Sequence, residues 1–229
     1  MYNKLNLLML IAFFIFTSCN SQNQSFEDKT LKDYQYSISF FPKEAVAHFP
    51  AKIDSNSYSM SSNIPENTTK FKLGNNPIMF NYICLYNNKE HYDKIKNGIT
   101  SKKYKCLSPN DSTIFLVFSY LESEGHKNVE IIGYESEDDT KRIIELNKKN
   151  QNNIPIPLFD NRETLDSTTF TRLDKDFRIY HISAKSGEFI KKDYLSNSYY
   201  FPDKWKHGFS RGYCLNDKKQ MIIYWAIVW

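Results

Sequence analysis

Ser210-Arg211-Gly212-Tyr213-Cys214-Leu215, then Asn216-Asp217-Lys218-Lys219, then Gln220-Met221-Ile222-Ile223-Tyr224-Trp225-Ala226-Ile227-Val228-Trp229 is the stretch that decides the fold. Two runs rich in β-branched and aromatic residues flank four polar ones, which is the pattern of an antiparallel hairpin with a four-residue loop. Strand alternation puts Met221, Ile223, Trp225, Ile227 and Trp229 on one face and Ile222, Tyr224, Ala226 and Val228 on the other. Both faces are apolar, whereas a strand with one wet face carries polar residues at every second position. The last strand is therefore expected at the centre of a sheet and covered on both sides. The competing reading, an apolar surface kept open for a partner, demands an exposed patch of a size that monomers rarely show.

Working outward, Ile78 to Tyr86, Ser112 to Leu121, Val129 to Tyr134 and Phe177 to Ala184 are further strand-like runs bounded by polar residues. Helices are fewer. Asn88 to Asn97 carries Tyr92 and Ile95 on one face, with an Asn to cap it and Gly98 to stop it. Ser136 and Asp139 imitate a capping box before Thr140 to Lys149, and Pro42 to His48 suits one or two turns. Asn150 to Pro157, with two prolines, reads as an extended linker. Strands outnumber helices, so the expected class is α+β, a largely antiparallel sheet with a few short helices and a central C-terminal strand.

The 229 residues carry 30 Lys and Arg against 26 Asp and Glu, and 16% are aromatic. A formal charge of +4, evenly interspersed, is too small to mark a nucleic-acid protein. The length suits one domain, expected over residues 31–229, with a sizeable core.

Catalytic and cofactor motifs mostly fail on inspection. Gly208-Phe209-Ser210-Arg211-Gly212 matches the G-x-S-x-G nucleophile elbow, but the elbow needs a helix after its Ser and a His later in the chain. None of His48, His91, His126, His181 and His207 follows Ser210, and a strand comes next. The seven glycines contain no phosphate-binding loop, so no nucleotide cofactor is expected. No His or Cys pair has the close spacing of a zinc motif, and the acidic run Glu135, Glu137, Asp138, Asp139 suits a solvated helix start better than a cation. Cys214 could pair with His181 or His207 as a nucleophile, though nothing in the spacing argues for it.

The segment most suited to binding is Tyr199 to Tyr213. Trp205, His207, Phe209, Arg211 and Tyr213 combine aromatic area with basic groups, as protein hot spots and sugar-binding faces do. The alternative is a loop pinned to the domain by its aromatics with Lys and Arg solvated.

At the other end, Lys4 precedes an apolar run from Leu5 to Phe16, whose twelve residues suit a secretory signal and fall short of the ~20 needed to span a bilayer. Phe16-Thr17-Ser18-Cys19 resembles the bacterial lipoprotein signal, which implies cleavage after residue 18 and lipidation of Cys19. Losing residues 1–18 removes one Lys and no acid, leaving a formal charge of +3. Residues 19–30 read as a polar tether. Asn20, where some lipoproteins carry Asp, implies an outer-membrane address. Acidic residues first occur at Glu27 and Asp28, not directly behind the cysteine as in surface-displayed Bacteroidota lipoproteins, which favours the periplasmic leaflet and leaves surface exposure open. With Cys19 lipidated, Cys84, Cys106 and Cys214 remain, an odd set that allows at most one of three disulfides or three small buried thiols.

Trp205-Lys206-His207-Gly208-Phe209-Ser210-Arg211-Gly212 and the final Tyr224 to Trp229, together with Phe41-Pro42-Lys43-Glu44 and His48-Phe49-Pro50, resemble uncharacterised Bacteroidota lipoproteins. That resemblance implies an address and no activity. The expectation is a membrane-anchored, non-enzymatic module that binds a protein partner, one version being an immunity protein facing a toxin. The alternative is an envelope glycan-binding protein or hydrolase.

Overall fold

A computed structural model describes residues 29–53, 58–63, 79–85, 89–117, 120–122, 129–131, 138, 141, 145, 149, 151–159, 166, 168–192, 195 and 201–229. The signal, Cys19 and most of the tether lie outside them. In chain order come helix α1 (residues 29–39), the single turn α2 (Lys43–Val46), β1 (Tyr58–Asn63), β2 (Met79–Leu85), α3 (Lys89–Thr100) and β3 (Lys105–Leu107). There follow β4 (Ile114–Val117), β5 (Tyr120–Glu122), β6 (Val129–Ile131), β7 (Ile154–Pro157), β8 (Phe177–Ser186), β9 (Gly208–Asn216) and β10 (Met221–Val228). The fold is α+β.

A six-stranded sheet runs β1-β2-β10-β9-β8-β3, antiparallel at every pairing. The C-terminal strand β10 is thus third of six, and all eight of its residues are buried. Met221, Ile223, Trp225, Ile227 and Trp229 face one core with Phe115, Leu116, Ile156, Phe159 and Phe177, under the small β4-β7 sheet. Ile222 and Tyr224 face Tyr34 of α1 and Tyr92 and Ile99 of α3, while Ala226 and Val228 meet Phe41 and Ala45 beside α2. Each face of β10 therefore has its own cover, which is why neither needed polar residues. The hairpin loop is residues 217–220, one later than expected, because Asn216 stays in the ladder opposite Met221 and its Oδ1 accepts the Lys219 N–H at 3.0 Å. Gln220 closes the turn at φ +49°.

Several expectations shift. Helix α3 continues to Thr100, so Gly98 is an interior residue and not the stop. The extension adds buried Ile99 to Tyr92 and Ile95, at i, i+3 and i+7 of one face, and that burial outweighs the glycine's poor helix propensity. Ser112 to Leu121 is two strands in two sheets, β4 and β5. The expected linker Asn150 to Pro157 ends as β7, paired in parallel with β4. Its prolines are tolerated because alternate residues donate: Ile154 N bonds Thr113 O at 2.8 Å and Leu158 N bonds Val117 O at 3.3 Å, while positions 155 and 157 point away from β4. Of the expected helix Thr140 to Lys149, Lys141, Glu145 and Lys149 are helical and exposed, as is Asp138; Ser136 and Asp139 lie outside the described residues. No described helix is long and apolar enough to cross a membrane.

Candidate functional site

Gly212 is the crossing point of the molecule. On β9 it stands opposite Trp225 of β10 and His181 of β8. A Cβ at Gly212 would lie 2.6 Å from Trp225 Cζ2 and 2.9 Å from Cε2, so the bare backbone is what lets the indole lie flat across the neighbouring strand. Gly208 repeats the device: its N–H and C=O both pair with Trp229, and a Cβ there would come within 2.9 Å of Trp229 Cζ2. The two glycines of the G-x-S-x-G string are therefore seats for two tryptophans four residues apart. Ser210 between them is in mid-strand opposite Ile227 and fully buried.

That placement removes the elbow chemistry. His181 and Ser210 share a sheet face, yet His181 Nε2 and Ser210 Oγ each lack a hydrogen-bond partner, so no base activates the hydroxyl. Cys214, on that face opposite Ile179, is sealed in the core and offers no accessible nucleophile. Among the described residues no three His, Cys, Asp or Glu side chains gather as a metal site.

On the other face, His48 reaches from the segment after α2 and sets Nε2 3.0 Å from Gly212 O and 3.2 Å from Trp225 O. Rings of Phe49 and Tyr213 stand edge-on to it at 4.8 and 5.1 Å. Burial, with the Arg211 guanidinium nearby, lowers the His48 pKa to about 3, so the ring is neutral and Nε2 carries the proton it donates. Arg211 Nε donates to Ser183 Oγ at 2.9 Å and its Nη1 to Glu44 O, while Lys185 pairs with the Glu44 carboxylate at 2.7 Å. Tyr34 OH donates to Pro50 O at 2.5 Å. The segment 29–53 is thereby strapped over the sheet centre. Sequence reasoning gave His48 a place in the resemblance but no functional role, since a lone His between apolar residues has no spacing signal. His91, also missed, contacts the Tyr224 hydroxyl at 2.8 Å.

The sequence-predicted binding residues do not form one surface. Trp205 packs into the β4-β7 side of the core, and its carbonyl accepts Trp229 Nε1 at 2.7 Å. Phe209 is buried on the opposite face against Phe189, with ring centroids 4.7 Å apart. Arg211 and Tyr213 belong to the His48 clamp, and His207 is half-buried at the start of β9. Strand alternation explains the split: Phe209, Arg211 and Tyr213 share a face that α1 and α2 cover, and Trp205 lies across the sheet. Lys204, over the Trp205 ring, and Lys206 remain outside. Tyr199 and Tyr200 lie outside the described residues.

The cysteines are settled by register. Ile223 stands between Cys84 and Cys214 in the ladder, which separates those backbones by two strand spacings, roughly 9.6 Å, beyond the ~4.4–6.8 Å of a disulfide. Cys106, on edge strand β3, is two strands from Cys214 and four from Cys84. All three pairings open to the sequence are therefore excluded. Cys214 is buried as expected, but Cys106 is exposed, so the three are not uniformly core residues.

Fold and site together define an α+β sheet protein in which His48 and Arg211 fasten the strap of residues 29–53 to the sheet centre. Compared with protein-family models, curated proteins and solved structures, the chain matches none.

Proposed function

We propose that the protein is an envelope lipoprotein, held in the outer membrane through lipidated Cys19 with its domain on the periplasmic side, and that it acts by binding another protein. The anchor is supported by Lys4, the twelve-residue apolar run and Phe16-Thr17-Ser18-Cys19. One acyl chain holds only marginally, so stable anchoring requires the several chains that a lipoprotein cysteine carries. The observation that favours binding over turnover is the burial of Ser210 within β9. Burial of Trp205 and Phe209 likewise withdraws these two rings from any open aromatic platform for a glycan.

The anchor is tested by labelled fatty-acid incorporation and fractionation: the native chain carries label in the outer-membrane fraction, and Cys19→Ala loses both. Retention of label by Cys19→Ala sinks the anchor. Affinity capture from envelope extracts tests the second half, with one stoichiometric protein expected. Hydrolytic turnover by the purified chain, abolished in Ser210→Ala, would overturn the binding role. A captured secreted toxin would narrow that role to immunity.

A further inference from the structure

We propose that His181, Ser210 and Trp225 form a buried site for one internal water molecule at the Gly212 rung. Trp225, Gly212 and His181 are direct ladder partners on three adjacent strands, and Ser210 lies two residues along β9 on the same face. Trp225 Cε2, the atom bonded to Nε1, lies over Gly212, the ladder partner of His181. Ser210 and Trp225 are fully buried. His181 Nε2, Ser210 Oγ and Trp225 Nε1 are each shut off from solvent without a protein partner. The ladder is interrupted beside them by the bulge between His181 and Ser183.

Donor and acceptor roles identify the occupant. The His181 ring bonds the Ser183 backbone in the sense that favours its proton, while burial lowers its pKa to about 4. The ring is thus neutral, donates through Nδ1 and presents Nε2 as an acceptor. The indole N–H can only donate, and the Ser210 hydroxyl does either. One molecule that donates to His181, accepts from Trp225 and completes a third bond with Ser210 is a hydroxyl. An anion would face the Nε2 lone pair, and a cation would face the indole N–H. Full burial of Ser210 and Trp225 selects the smallest hydroxyl, and internal waters make about three such bonds to groups otherwise left unpaired.

The test is NMR of the full chain in detergent micelles with ¹⁵N-indole tryptophan. The Trp225 N–H signal, assigned by Trp225→Phe or, where that variant does not fold, by backbone-linked triple resonance, should show a cross-peak to water with the sign of a long-lived contact. Ser210→Ala should weaken that cross-peak at least several-fold while leaving the Trp229 indole, bonded to Trp205 O, unchanged. Absence of the water cross-peak in the native chain overturns the site. So does a cross-peak to carbon-bound protons of a co-purifying molecule, which would assign the hydroxyl to a larger ligand.

Discussion

At the scale of single residues, Gly212 carries the most structure per atom. A methyl there collides with Trp225 and with the Tyr180 carbonyl, and neither can retreat without opening the sheet. Overpacking of this kind costs about 1–3 kcal/mol or more. Gly212→Ala should accordingly lower the urea midpoint by an amount worth at least about 2 kcal/mol, and an unchanged midpoint would contradict the seating of the indole. His48 contributes a share of stability that acid removes. Its folded pKa, about 3, lies below the unfolded value of ~6.5, so the unfolded chain takes up a proton first as pH falls. Stability from neutral His48 is whole above pH ~6.5 and is lost toward pH ~3, on the order of 5 kcal/mol in all. His181, lowered to about 4 by burial, acts in the same sense, and so do His91 and His207. The measure is thus a difference between variants: urea midpoints at pH 7 and pH 4.5 should diverge less in His48→Gln, which keeps a donor for the two carbonyls, than in the native chain. Equal divergence would show that His48 is not the titrating group.

Elements show where sequence patterning suffices. The run Met221 to Trp229 alternates between two apolar faces, and β10 is central with both faces buried, because alternation and hydrophobicity are properties of the strand alone. Helix α3 was legible in its Tyr92 and Ile95 spacing, but Gly98 misread as a stop, since a glycine terminates a helix only where the left-handed conformation is used. Gly98 is interior, and a Cβ there meets nothing within 4 Å. Gly98→Ala should therefore stabilise the protein by about 0.5–1 kcal/mol, read as a rise in the thermal midpoint. A fall would mean that the helix ends where the sequence suggested. Edge strands β1 and β3 carried no usable signal: Tyr-Ser-Met-Ser-Ser-Asn and Lys-Cys-Leu depend on a neighbour for their pairing. In β7 the prolines hid a strand whose hydrogen bonds use only the residues between them.

For the whole molecule, the six-stranded order fixes what the thiols can do. Alkylation of the native, unreduced chain should modify Cys106 and spare Cys214 until denaturant is added, and reductant should change neither result; a mass gain on reduction would contradict the register. By itself the sequence determined the α+β class, the hairpin, the two-faced last strand and the segment from Phe16 to Cys19 that motivates the anchor, all of which rest on local order and period. Tertiary structure alone decided that Trp205 and Phe209 are buried on opposite faces, that the G-x-S-x-G glycines seat Trp225 and Trp229, and that His48 binds residues 164 and 177 positions away. The physical reason is that side-chain burial, steric room and hydrogen-bond partners are set by which strand lies next to which, and pairings that distant leave no periodic trace in the chain.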